Sequence, residues 1–282
     1  MSAPSYTFDS PDADIILRAP LHPEDPKSTE FVDFHTHKPI LATASTAFRG
    51  MLSVPQPPRL DGDPNLPIVH ISEPAEVFEI FLRLIYPIKP PKITSLQTVD
   101  HLSQLTIKYM VDCVHAKLEQ ILVSPSFLKS DPVWVYTIAC RMDLEEEAKL
   151  AIPYTYQINL VQDIPPTLLE AMSAKMYNRL LRSHAARREN IRISVLDKYK
   201  GMASPYEGKC VCGPWFYTRL LKNIHLAIWE KPFLDRPRLN SCLSKVESIP
   251  KSECGPGTPC RISGQVVSAY FTRILDAIDM LE

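Results

Sequence analysis

Four cysteines late in the chain have the residue type and the flanking sequence of a structural zinc site. Cys210 and Cys212 are followed at once by Gly213-Pro214, and Cys254 and Cys260 bracket the turn-forming sequence Gly-Pro-Gly-Thr-Pro. Structural zinc takes four thiolate or imidazole ligands, which tight turns often present as two pairs. We favour four ordinary reduced cysteines in loops, because gaps of one and five residues depart from the usual zinc spacing. A zinc-stabilised C-terminal segment is the alternative hypothesis.

Asp33, His35 and His37 alternate near the end of a predicted strand, where alternate side chains share one face. Two imidazoles and a carboxylate on one face could ligate a metal or act as a base. We instead predict structural roles, because a short motif of this kind is weak evidence for a site. His37 stands where the strand turns into a helix, and a histidine there can bond the backbone at the helix start.

A basic stretch covers residues 175–200. Its cations are Lys175, Arg179, Arg182, Arg187, Arg188, Arg192, Lys198 and Lys200, against the acids Glu189 and Asp197. A basic stripe can follow nucleic-acid phosphates. The whole chain, however, has a net charge of only -1, and the stretch lies opposite an apolar helix face. We therefore favour a solvated face or a partner-docking surface, with nucleic-acid binding as the alternative.

The sequence contains none of the common catalytic motifs. It has no Walker loop, no G-x-S-x-G, no H-E-x-x-H and no G-x-G-x-x-G. Only 8 residues are glycine, whereas 27 are proline, so the chain is poor in the residue that lets backbone approach a phosphate closely. We predict that the protein is not an enzyme, that no residue is catalytic, and that it takes no cofactor apart from the zinc considered above.

Composition also bears on location. No apolar run approaches the roughly 18 residues of a membrane helix, and the first residues lack the basic start and apolar core of a signal peptide. The seven cysteines are an odd number, which fits reduced thiols better than a disulfide framework. The sequence therefore predicts a cytoplasmic or nuclear protein without a membrane partner.

Hydrophobic periodicity in the first 122 residues predicts a small sheet wrapped by helices, an α+β fold. The predicted strands are Asp14–Arg18 and Phe31–His35, paired as a hairpin around a long loop, and Pro67–Ile71. The predicted helices are one across Ile40–Leu52, one across Ala75–Tyr86 capped by Ser72, and the pair Ser95–Met110 and Val111–Leu122.

The second half reads as helical throughout, with no convincing strand beyond residue 130. Asp131 is expected to cap Val133–Cys140, and Asp143 with Glu146 to form a capping box for Leu144–Ile152. A single amphipathic helix is predicted over Thr167–His184. Two more helices are predicted at Trp215–Glu230 and Val266–Leu281.

In its first 120 residues the chain resembles the BTB/POZ domain. The match is carried by an opening strand that contains Asp14, by the segment Phe34-x-x-His37-Lys38-x-x-Leu41-Ala42-x-x-Ser45-x-x-Phe48, by Phe78-x-x-x-Leu82-x-x-Ile85-Tyr86, and by Leu102-x-x-Leu105-x-x-Lys108-Tyr109. Its fold-motif residues are Asp14, His37, Lys38, Ser45, Tyr86 and Tyr109. The proline-punctuated connections resemble the large fungal BTB set.

The resemblance implies a protein-interaction module that homodimerises through its first strand and first helix. On this chain the implied interface residues are Ile15, Ile16, Leu17, Leu41, Ala44, Phe48 and Leu52. The helix pair over residues 133–152 resembles the start of the BACK-type region of cullin-linked ubiquitin ligase adaptors, which implies a cullin partner.

We accordingly predict four parts: a disordered tail over residues 1–11, a BTB/POZ domain over 12–123, a helical BACK-like region over 124–200, and a cysteine-containing helical region over 201–282. The function predicted for the whole is a homodimerising scaffold or adaptor. The alternative function is a nuclear regulatory factor that touches nucleic acid through the basic stretch or the zinc-stabilised segment.

Overall fold

The computed structural model describes residues 7–25, 29–54, 66–193, 212–233, 235–247 and 272. The chain divides into two compact units, Met1–Ala151 and Ile152–Glu282. None of the helices in the described ranges has both the length and the apolar character needed to cross a membrane.

A three-stranded sheet opens the first unit. Strand β1 (Ile15–Pro20) lies in the middle, antiparallel to β2 (Phe31–Thr36) and parallel to β3 (Ile68–His70). Every second residue of β1 is buried, as expected of a strand with one face on a core. The three predicted strands and the hairpin are thus confirmed, with β1 two residues longer at its end and β3 shorter than predicted.

Residues 7–11 pack against the first unit, so the prediction of a disordered tail over 1–11 is wrong for these five residues. Residues 1–6 lie outside the described part. Phe8 is buried, with its ring edge-on to Phe34 at 5.8 Å and to Tyr86 at 5.2 Å. The His35 N–H donates to the Phe8 carbonyl at 3.0 Å, which covers part of the β2 edge. One buried aromatic ring contributes enough apolar area to anchor such a segment.

The single helix predicted across Ile40–Leu52 is wrong, because the chain forms two helices there, α1 (Lys38–Ala44) and α2 (Thr46–Ser53). Ser45 between them is extended, and its Oγ accepts a hydrogen bond from the Phe48 N–H at 2.9 Å. The serine hydroxyl offers the backbone a cap in place of another helical turn, which ends one helix and begins the next.

Three further helices complete the core around the sheet: α3 (Ala75–Ile85), α4 (Leu96–Tyr109) and α5 (Asp112–Leu122). They bury Phe78, Phe81, Leu82, Leu102 and Leu118 completely. The predicted cap of α3 by Ser72 is wrong. The N-cap residue is Pro74, which offers no side-chain acceptor, while the Ser72 Oγ lies 3.1 Å from Lys108 Nζ.

The first unit continues through α6 (Pro125–Ser130), α7 (Pro132–Arg141) and most of α8 (Glu145–Thr155). The predicted Asp143–Glu146 capping box is wrong, because α8 begins at Glu145 and Asp143 has a φ of 57°. Asp131 is the N-cap residue of α7, but its side chain accepts no capping hydrogen bond.

Polar contacts tie α7 to the helices before it. The Arg141 guanidinium pairs with Asp100 and donates to the Ser103 hydroxyl at 2.7 Å, and the His115 ring lies 3.0 Å from the Met142 carbonyl. The boundary between the two compact units therefore falls after Ala151, 28 residues beyond the end predicted for the BTB/POZ domain.

The second unit contains α9 (Pro166–Ala171), α10 (Ala174–Ile191), α11 (Cys212–Glu230) and α12 (Arg236–Glu247). The single helix predicted over Thr167–His184 is wrong, because Ser173 caps a new helix by accepting the Met176 N–H at 3.2 Å. The predicted helix Trp215–Glu230 is confirmed within α11. The predicted helix Val266–Leu281 lies outside the described residues. The core of this unit contains Leu180, Ile191, Leu220, Ile224 and Leu239.

Candidate protein-interaction site

The start of α1 is held by Asp14, at the residue before β1. Its Oδ1 accepts the Lys38 N–H at 2.7 Å, and Lys38 is the first residue of α1. A carboxylate that accepts a free N–H at a helix start satisfies a donor that has no partner within the helix. Asp14 thus performs the capping task that the sequence analysis assigned to His37.

His37 instead joins the helix start to the end of α3. Its N–H donates to the Tyr86 hydroxyl oxygen at 2.9 Å, and its ring Nδ1 lies 3.2 Å from the same oxygen. Its Nε2 lies 3.3 Å from an Asp12 carboxylate oxygen. The expectation that the ring bonds the helix-start backbone is wrong, since the His37 side chain makes no capping bond. Hydrogen bonds from Ser10, then from His37, lower the pKa of Asp12.

Tyr109 is the centre of a second group of motif contacts. Its hydroxyl donates to Glu73 Oε2 at 2.9 Å, and Glu73 also pairs with Lys108. Burial, together with the nearby Glu73 carboxylate, raises the pKa of Tyr109, so the phenol stays protonated as a donor. The Ser45 hydroxyl donates to the Tyr109 carbonyl, which links the α1–α2 break to the end of α4.

All six motif residues are therefore used to join elements of the fold. They link the residue before β1 to α1, α1 to α3, and α2 to α4, through the hydrogen bonds given above. These six residues are thus used inside the fold, so a contact with another protein has to use other residues, on the outer surface.

The predicted dimer-interface residues separate into two groups. Ile15, Leu17, Leu41 and Phe48 are buried in the core of their own chain, so they cannot also form a surface patch. Ile16, Ala44 and Leu52 are partly exposed. The alternation of β1 and the turn of each helix put neighbouring positions on opposite faces, which the residue types alone did not reveal.

The outer face of the sheet carries a charged pair with apolar neighbours. Arg18 binds Asp33 in a bidentate contact, with donor–acceptor distances of 2.7 and 2.6 Å, and these hydrogen bonds lower the pKa of Asp33. Phe31 is 46% exposed, and its ring lies 5.9 Å from the His70 ring. Ile68 is also exposed. Arg18 therefore binds the Asp33 carboxylate that the sequence analysis grouped with His35 and His37 as possible metal ligands.

Other exposed apolar side chains of the first unit lie in the β1–β2 loop, on α2, α4 and α8, and at the residues that follow α2 and α4. They are Leu21, Met51, Val54, Ile107, Met110 and Leu150. Within the residues that the structure describes, no three His, Cys, Asp or Glu side chains are grouped so that they could hold a metal ion. What this surface can do chemically is bury apolar area against another protein.

Three of the predicted zinc ligands, Cys210, Cys254 and Cys260, lie outside the described residues. Of Cys212 only the backbone, at the first residue of α11, is described. The zinc-stabilised segment stays a prediction.

The basic stretch is only partly available for phosphate contacts. The Arg187 guanidinium lies over the Tyr156 ring at 5.6 Å, Arg188 over the Trp229 ring at 5.7 Å, and Arg192 pairs with Glu189 at 2.6 Å. Lys198 and Lys200 lie outside the described residues. Three arginines of the stretch are thus engaged within the protein, which sequence reasoning could not detect.

Comparison with known families gives one match, which lies within the first unit. Residues 29–126, about a third of the chain, match the BTB/POZ domain. The match begins in the hairpin loop, and β1 completes the sheet before it. The chain therefore contains a BTB/POZ domain, which is a protein–protein interaction module. A search of curated proteins found no match.

Proposed function

We propose that this protein is a scaffold or adaptor that self-associates through its BTB/POZ domain and presents its C-terminal half to another protein. The observation that carries the proposal is the match of residues 29–126 together with the use of all six motif residues in packing. Interaction modules of this kind act through exposed apolar area on a rigid fold, and the outer sheet face offers Ile16, Phe31 and Ile68 for that purpose.

Self-association is tested by size-exclusion chromatography with light scattering. The full chain is expected to be a dimer at micromolar concentration, and Ile16→Lys is expected to shift it towards monomer, because the substitution puts a charge in a desolvated isologous contact. Ile107→Lys is the matched control, since Ile107 is an exposed isoleucine on α4. A strictly monomeric wild-type chain would refute self-association, and an equal effect of Ile107→Lys would refute the sheet-face interface.

The proposal extends to a substrate-receptor role in a cullin-type ubiquitin ligase. It is supported by α7 and α8, the helix pair that resembles the start of a BACK-type region. Helix α7 is tied to α4 by the Arg141–Asp100 pair. We expect a purified cullin N-terminal domain to retain the full chain in a pull-down. Clean absence of binding counts against this role and leaves self-association unaffected.

We place the protein in the cytoplasm or nucleus and among the fungal-type BTB proteins. The compartment is supported by Cys113 and Cys242, which are not in disulfides, and the fungal type by the proline-rich connections after Tyr86. The alternative nuclear role on nucleic acid has a direct test. Metal analysis of the purified protein and a DNA-binding assay at low salt separate the nuclear role from the adaptor role. Bound zinc or salt-sensitive DNA binding is expected only for the nuclear role.

A further inference from the structure

Within the second unit, α10 and α11 border a groove of about 160 Å³. Its apolar wall includes Ile228 and Trp229, and its polar wall includes Arg188, Glu189 and Arg192. Trp229 is 68% exposed although it is the largest apolar side chain of the groove. A tryptophan left exposed on a folded helix is the kind of residue that contributes most to binding energy at protein interfaces.

Trp229 is held in place on the surface. The Arg188 guanidinium lies 5.7 Å from its ring centroid, and the His225 ring is stacked on it at 6.4 Å. These contacts restrict the side chain before any partner arrives, which reduces the entropy lost on binding. Leu226, three residues before Trp229 on α11, is also exposed, at 57%. Together Trp229 and Leu226 form an exposed apolar patch beside the groove.

Most of the charged side chains around the groove are basic. Residues 174–193 carry six basic side chains and one acidic side chain. Arg182, Ala185, Glu189 and Arg192 recur at helical spacing, so exposed Arg182 shares the groove face of α10. On α11 the exposed Lys222 lies one and two turns before His225 and Trp229. The groove therefore combines an apolar wall with a basic rim.

We propose that the groove between α10 and α11 docks an acidic segment of a partner protein, with one apolar side chain of that segment packed against Trp229 and Leu226. The basic rim complements carboxylates, and the apolar patch requires an apolar anchor. A nucleic acid fits less well, because its evenly spaced phosphates would have to pass Glu189, which lines the groove and pairs with Arg192. A peptide can instead place single carboxylates at the exposed Arg182 and Lys222. The inference rests on the proposed role of the C-terminal half and not on self-association.

The test is fluorescence anisotropy on the full chain with three labelled synthetic peptides. One peptide alternates Asp and Glu with Leu, a second has each Leu replaced by Ser, and a third has each acid replaced by its amide. We expect the acidic apolar peptide to bind with a micromolar Kd that weakens as salt is added. Each of the two matched peptides should bind at least about tenfold more weakly, because one lacks the apolar side chains and the other lacks the carboxylates.

Trp229→Ala should weaken binding of the acidic apolar peptide by about tenfold or more, as expected of a hot-spot residue. Leu226→Ser is a second variant for the same patch, and circular dichroism verifies that both remain helical. Leu169→Ala is the matched control, since Leu169 is an exposed leucine of the same unit on α9, and it should leave the Kd unchanged.

A single-stranded DNA oligonucleotide and a phosphatidylserine vesicle complete the experiment. Tighter binding of either, lost in Trp229→Ala, would overturn the proposal in favour of a nucleic-acid or membrane surface. Absence of binding by the acidic apolar peptide would also overturn it, as would an equal loss of affinity in Leu169→Ala. None of these outcomes affects the oligomeric state, so the proposed self-association is judged separately.

Discussion

Phe48→Ala is expected to lower the free energy of unfolding of the first unit by about 3–5 kcal/mol. Phe48 is completely buried, and its ring is stacked on that of Tyr109 with centroids 4.6 Å apart. Removing the ring loses its transfer free energy and leaves a cavity beside Tyr109. The Phe48 N–H that donates to Ser45 Oγ belongs to the backbone and is unchanged by the substitution, so the break between α1 and α2 should persist.

Hydrogen exchange measured by mass spectrometry on the full chain tests this expectation, because it reports the stability of each unit separately. Amides of α2 and α4 should lose protection, whereas those of α10 should be unchanged. Met51→Ala is the matched control, since Met51 lies on the same helix and is exposed. Its effect should stay within roughly 0.5 kcal/mol. An effect of Phe48→Ala no larger than that of the control would contradict the packing described here.

The second large effect is a pH dependence of the stability of the second unit, which we expect from His184. This histidine is completely buried. The Thr155 hydroxyl donates to the Ile152 carbonyl at 2.6 Å, so its oxygen is left to accept from His184 Nε2 at 2.9 Å. This assigns the proton of a neutral imidazole to Nε2. The Tyr156 ring lies edge-on at 5.2 Å, and the buried Nδ1 has no protein hydrogen-bond partner among the described residues.

Burial, then the charge of Arg188, lowers the pKa of His184 from its ordinary 6.5 to about 4. Because the folded-state pKa lies below the unfolded one, the unfolded chain takes up the proton first as the pH falls. The second unit should have its full stability above pH 6.5 and lose it progressively towards pH 4. The loss at the lower limit is on the order of 3 kcal/mol, since each pKa unit corresponds to about 1.4 kcal/mol.

Hydrogen exchange of α10 between pH 7 and pH 4.5, corrected for the intrinsic exchange rate, measures this dependence. His184→Gln removes the titrating group, and its stability should change less with pH than that of the wild type, whatever its absolute value. His225→Gln is the control, because His225 is exposed on α11, and it should retain the wild-type slope. A slope of His184→Gln identical to the wild type would contradict the assignment.

Much of the first unit could be predicted because its signals are local. Alternation along β1 and β2 and the apolar spacing of α3, α4 and α5 are set by residues close together in sequence. Two of the errors, one in each unit, occur where a serine hydroxyl competes with the helix. At Ser45 and at Ser173 an apolar period continues through the position, but a side-chain cap starts a new helix there. Periodicity does not register such a cap.

The sequence by itself determined the fold class and the presence of a BTB/POZ domain, and it singled out the six motif residues, because these depend on the order and spacing of residue types. Only the tertiary structure decided what each of these residues contacts. In the folded chain the core contains Ile15, Leu17, Leu41 and Phe48. Asp14 caps α1. The arginines that contact other side chains of the protein are Arg187, Arg188 and Arg192. The physical reason is that burial and pairing depend on contacts between residues far apart in sequence, which no local pattern specifies.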